Sequence, residues 1–94
     1  MTLPVAWHPR ARRDLAQIVD YIRLRSPSGA TRILEAIEDS VEMLPSHPYA
    51  FRMGRIPGTR ECIAHPSYFY VYRVDLENIT ILRVLHTQQQ YPPA

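Results

Sequence analysis

The apolar positions of this chain fall into two periods. From Ala11 to Ile22 they recur at spacings of four, three, one and three (Ala11, Leu15, Ile18, Val19, Ile22), which is one stripe of a 3.6-residue helix. Arg10, Arg12, Arg13, Asp14, Gln17 and Asp20 are assigned to the other side. Pro9 stands where a first helical residue would, and Pro27 disfavours helical geometry at Ser26, so the helix should end near Arg25. Ser26-Pro27-Ser28-Gly29 reads as a turn in which either serine can cap a second helix. The second stripe is Ala30, Ile33, Leu34, Ile37, Val41 and Leu44, with Glu35, Glu38, Asp39 and Glu42 outside it and Pro45 ending it. Two amphipathic helices joined by a four-residue link make an antiparallel hairpin.

Elsewhere the period is two. Thr2–Trp7 reads as a short strand, with Pro4 suited to a sheet edge. Residues 51–58 are irregular, Thr59–Ala64 alternates weakly, and His65-Pro66-Ser67 is a turn. Tyr68–Asp75 and Ile79–His86 are the strongest strands, joined across Leu76-Glu77-Asn78 at hairpin length. The expected fold is α+β, in the order β-α-α-β-β-β, with the helical hairpin on one face of a mainly antiparallel sheet. Tyr68, Tyr70, Tyr72 and Val74 share one face; Phe69, Val71 and Arg73 share the other. Both faces carry apolar bulk and two helices can cover one. The uncovered face is expected to be Tyr-rich and a partner surface, unless residues 45–58 fold over part of it. Strict alternation puts Arg83 and His86 on opposite faces unless the strand ends or bulges at Leu85.

Composition narrows the class. Ninety-four residues suit one domain, 1–94, and a chain of this size buries roughly 60–65% of its unfolded surface. Cys62 is the single cysteine, so no internal disulfide forms, and it reads as a small core residue. No signal-like or membrane-spanning run is present, and a cytoplasmic protein is the default expectation. No Gly-rich phosphate loop or metal-ligand spacing appears, so no cofactor or metal is expected. All eleven basic residues are Arg, and Arg52, Arg55 and Arg60 fall in ten residues without an acid. That cluster is either a solvated loop or a contact for nucleic acid or an acidic partner.

Taken together, a short strand, a helix reading AxxDLxxIxxYI (Ala11–Ile22), a second helix, a basic loop, Tyr70-Val71-Tyr72-Arg73-Val74 and a closing Arg83-Val84-Leu85-His86 resemble the RelE/ParE toxin superfamily of bacterial type II toxin–antitoxin modules. Gly58-Thr59-Arg60-Glu61 and Gln88–Pro92 belong to the same pattern, which spans nearly the whole chain. The resemblance implies a sheet backed by two helices and a cognate antitoxin that wraps the toxin, as a helix in a groove or an added strand. Direct DNA binding by this chain is not expected, since the antitoxin usually supplies it. RelE-like members cleave mRNA on the ribosome; ParE-like members poison DNA gyrase.

RNA cleavage through the 2′-hydroxyl needs a base, an acid and cations. The candidates here are His86, with Arg83, Arg60 and Arg73 as cations and His65 as a second imidazole. The chain has no Lys, and Thr87-Gln88-Gln89-Gln90 follows the last strand where RelE-like members place a basic residue. A structural His86, bonded to a backbone carbonyl, is the competing role. Tyr68, Tyr70, Tyr72, Arg52 and Arg55 are the candidate partner contacts. The depleted set favours the ParE-like, gyrase-binding reading. A ribosome-dependent endonuclease is the alternative, and a non-toxic antitoxin-binding module is the third.

Overall fold

A computed structural model describes residues 2–93; Met1 and the last tail residue, Ala94, lie outside the described residues. The elements in chain order are β1 (Val5–Trp7), α1 (Pro9–Arg23), α2 (Pro27–Met43), β2 (Arg52–Met53), β3 (Arg60–His65), β4 (Tyr68–Val74) and β5 (Ile79–His86). Local chemistry accounts for the helix ends. His8 is the N-cap of α1, its Nδ1 accepting the Arg10 N–H, and Pro9 takes the first helical position. Ser26 caps α2 by accepting the Gly29 N–H at 3.0 Å, and Pro27 opens it. The link between the helices is thus shorter than expected, because Pro27 belongs to α2 rather than to the turn.

The sheet has five strands in the order β1-β5-β4-β3-β2. Neighbours pair antiparallel except β1 and β5, which run parallel. The fold is the expected one with a strand added. Arg52–Met53 pairs with Arg60–Glu61, in a segment the sequence marked as irregular. Gly54 makes that hairpin tight: its N–H donates to the Thr59 carbonyl at 2.7 Å, and a Cβ there would strike the Thr59 side chain. Pro4 immediately precedes β1, which is an edge strand.

The helices cover the tyrosine-bearing face, which corrects the expectation of an open Tyr-rich face. Tyr70, Tyr72, Cys62, Ile79, Ile81 and Val84 join Ala11, Ile33, Ile37, Val41 and Leu44 in the main core. Tyr70 and Tyr72 are fully buried there, with the Tyr70 hydroxyl 2.9 Å from Ser40 and the Tyr72 hydroxyl donating to the Pro48 carbonyl at 2.9 Å. Neither stands at a surface where a partner could touch it. The opposite face carries a second, smaller cluster of Phe69, Val71 and Leu85, also buried. It is closed by the chain itself. Tyr91 packs edge-on to Phe69 with centroids 6.0 Å apart, and the Arg55 guanidinium lies 5.0 Å from the Phe69 ring centre. The competing expectation, a covering loop, is thus met in part by the segment after β2, and the C-terminal tail does the rest.

Candidate functional site

The end of β5 departs from strict alternation. Val71 pairs with Arg83, and the next residue, Tyr72, pairs with Ile81, so Leu82 is an extra residue in β5. The irregularity therefore lies three residues before the expected position at Leu85. It places Ile81 and Val84 in the same core and sends Leu82 to the far-face cluster. β1 ends at Trp7, opposite Ile81, so the outer edge of β5 beyond Ile81 has no strand beside it.

Asp14 of α1 fills that gap. Its Oδ2 accepts the Arg83 Nε–H at 2.7 Å and the Val84 backbone N–H at 3.0 Å; Oδ1 accepts Arg83 Nη2–H at 3.4 Å, with Arg10 Nε at 3.5 Å. One carboxylate thus satisfies a sheet-edge donor and pairs a guanidinium. Asp14 is 8% exposed, which corrects its assignment to the solvent side of α1. The signal was in the spacing: Asp14 is three residues from Ala11 and four from Ile18, on the edge of the apolar stripe.

Around the open edge, Arg83 and His86 do line one hollow, with Tyr68 and Gln89. His86 lies edge-on to Tyr68 with centroids 5.2 Å apart, and burial, then the nearby Tyr21, raise the Tyr68 hydroxyl pKa above its usual value. His86 Nδ1 accepts the Gln88 backbone N–H at 3.0 Å. The expected bond to a carbonyl is thus replaced by one in which the ring is the acceptor. A neutral ring then holds its proton on Nε2, which donates rather than accepts.

The other two candidate cations stand apart. Arg60 pairs with Tyr72, while His86 pairs with Tyr68. Four residues of strand separate them, about 13 Å. Arg60 is tied to the Phe51 carbonyl at 2.9 Å and stacks on Tyr49 at 4.9 Å. Arg73 is exposed and pairs with Thr80 near the turn end of the hairpin. The four residues His86, Arg83, Arg60 and Arg73 therefore do not converge.

The basic loop also resolves differently. Glu61, 1% exposed, receives Arg52 Nη2–H at 3.1 Å and the Arg55 backbone N–H at 2.9 Å, with Arg55 Nε at 3.6 Å. Arg55 further donates to the Tyr91 carbonyl at 3.3 Å. Arg52 and Arg55 are half-exposed props around a buried acid, which the ten-residue window stopped one position short of. His65 accepts the Ser67 N–H at 3.0 Å, ordering the β3–β4 turn. Cys62 is buried, its Sγ 2.9 Å from Ser40 Oγ. Among the described residues no group of three His, Cys, Asp or Glu side chains is placed to hold a metal ion, and no helix is long and apolar enough to cross a membrane.

A separate groove of about 650 Å³ runs along the helical hairpin. Trp7, Leu15, Val19, Leu34 and Val41 contribute apolar surface to it; Glu35, Glu38, Asp39 and Glu42 line the α2 side, against Arg12, Asp20 and Arg23 on α1.

A helical hairpin on a five-stranded sheet with a single parallel edge, closing on Arg83–His86, is the architecture of RelE/ParE superfamily toxins. A family model described as the ParE toxin of the parDE type II toxin–antitoxin system matches residues 5–91. The protein Y4kP of Sinorhizobium fredii is 37% identical over 89 residues, 94% of this chain and 92% of that one. Toxin RelE3 of Caulobacter vibrioides is 32% identical over 85 residues, 87% of this chain and 91% of that one. In fold, the chain is similar to a chain of the chromosomal ParDE system of P. aeruginosa (TM-score 0.81, 24% identity, 93% and 98% covered). It is also similar to a chain of the RelBE2 toxin–antitoxin complex of Mycobacterium tuberculosis (TM-score 0.63, 24% identity, 92% and 99% covered). The chain belongs to the ParE toxin family of type II toxin–antitoxin systems.

Proposed function

We propose that this toxin arrests growth in the cytoplasm by binding DNA gyrase, without cleaving RNA, and that a cognate antitoxin neutralises it. The observation that carries the proposal is the state of the β5 end. His86 has its Nδ1 lone pair engaged by Gln88 and Arg83 is paired to Asp14 at 2.7 Å, while Arg60 and Arg73 lie elsewhere. A general base needs a free lone pair facing the substrate, and a phosphate clamp needs converging unpaired cations. The family match to a ParE model supports the same branch.

The antitoxin fits the hairpin groove. Its apolar floor and the acids of α2 suit an amphipathic helix with basic flanks. The occupied surface is then the helical one, not the sheet face, which the chain covers itself.

One observation favours the second reading, a ribosome-dependent endonuclease: Arg83 and His86 do share a hollow. Induced expression separates the readings by phenotype. A DNA-damage response with translation continuing supports the gyrase reading; translation arrest with codon-positioned mRNA cleavage supports the second. Unimpaired growth identifies a non-toxic antitoxin-binding module.

A further inference from the structure

Tyr68 and His86 stand between two adjoining hollows at the β5 end, about 360 and 550 Å³ in volume. Arg10 and Arg83 line the first and Arg32 the second. Asp14 is the single carboxylate among the described lining residues, and it is already held by Arg83, Arg10 and the Val84 N–H. Three arginines against one aspartate leave a local excess of two positive charges. Both imidazoles add donors of the same sense. His65 and His86 each accept a backbone N–H at 3.0 Å on Nδ1, from Ser67 and Gln88, so the neutral rings present Nε2–H. Guanidinium and imidazole donors thus line both hollows beside Tyr68, an arrangement that suits a ligand bearing acceptors.

We infer that these hollows seat carboxylate side chains of an acidic peptide segment on the protein that the toxin binds. The inference rests on the reading of the chain as an inhibitor that acts by binding a protein target. Two features favour a peptide over single-stranded RNA. Base binding needs free aromatic faces, but Arg25 lies over the Tyr21 ring at 3.9 Å, and Tyr68 has His86 and His65 beside it at 5.2 and 6.2 Å. A local excess of two charges suits one or two carboxylates better than a run of phosphates.

The test is fluorescence anisotropy of the full chain with three labelled probes: a Glu-Ser repeat peptide, the same peptide with Gln for Glu, and a single-stranded RNA of equal charge to the first. The Glu peptide should bind and the Gln peptide should not. Arg32→Glu, at an exposed helical position, should weaken the Glu peptide by roughly tenfold or more, and His65→Gln by less. Arg13→Glu makes the same change in net charge outside both hollows and should leave binding within about twofold. Equal binding of the Gln peptide, equal loss in Arg13→Glu, or tighter RNA binding that Arg32→Glu abolishes would overturn the inference. A gyrase supercoiling assay alongside separates the two ideas. Inhibition without peptide binding removes the inference and leaves the gyrase reading; peptide binding without inhibition does the reverse.

Discussion

Asp14 and Tyr70 are two of the buried polar groups of the interior. Asp14 closes the β5 edge and neutralises Arg83, whose side chain is 19% exposed. Asp14→Ala leaves the Val84 N–H and the Arg83 guanidinium without this partner, and should cost about 3 kcal/mol by urea denaturation. Tyr70 carries a pH signature. Burial is the main cause that raises its pKa well above the usual tyrosine value of 10.0, so the folded state holds the proton more tightly than the unfolded chain. That contribution is complete below about pH 10 and is lost as pH rises through the folded value. Tyr70→Phe should be less stable by about 1 kcal/mol at neutral pH, and the gap should narrow above about pH 10. Equal gaps at both pH values would contradict the assignment. Little of this was legible one residue at a time. Arg83 and Asp14 are distant in sequence, and only their placement at the point where β1 stops makes one the partner of the other. The sequence pointed to His86 as a candidate, but the sense of its hydrogen bond depends on the turn that follows it.

Among the elements, the helices were the most legible, because stripe, proline and serine all agree. Ile33, Ile37 and Val41 are buried as their spacing requires, and Ser26 and Pro27 set the start of α2. The strong strands were legible for the same reason: β5 spans Ile79–His86 as read. β2 was not, since two exposed residues punctuated by Gly54 carry no period. The face assignment failed because alternation groups residues without saying which group the helices cover. The far-face cluster depends instead on the tail, a polar and proline-ended stretch that gave no sign of packing. Tyr91 holds it down, and burial, then the nearby Glu61, raise the Tyr91 pKa. Tyr91→Ala should lower stability by about 2 kcal/mol and increase binding of a hydrophobic dye, as Phe69, Val71 and Leu85 lose their cover. Unchanged dye binding and an unchanged unfolding midpoint would show that the tail is not a structural cover.

On the scale of the whole molecule, α1 borders two grooves of opposite character. One side, shared with α2, is apolar at its floor and acidic at its rim; the other, shared with β4 and β5, carries arginines, imidazoles and Tyr68. On the proposed reading, antitoxin and target engage different flanks of one helix. Ala16 is exposed in the first groove and makes a clean probe of it. Ala16→Glu should weaken antitoxin binding by roughly tenfold or more, through bulk and like charge, with the unfolding midpoint unchanged. Unaltered antitoxin affinity by calorimetry would move that partner elsewhere. The central claim is that the toxin acts by binding gyrase, and its most direct measurement is DNA supercoiling by purified gyrase titrated with the purified, antitoxin-free chain. Progressive loss of supercoiling is the predicted result. Full supercoiling at every toxin concentration, together with codon-positioned mRNA cleavage in a translating extract, would contradict it.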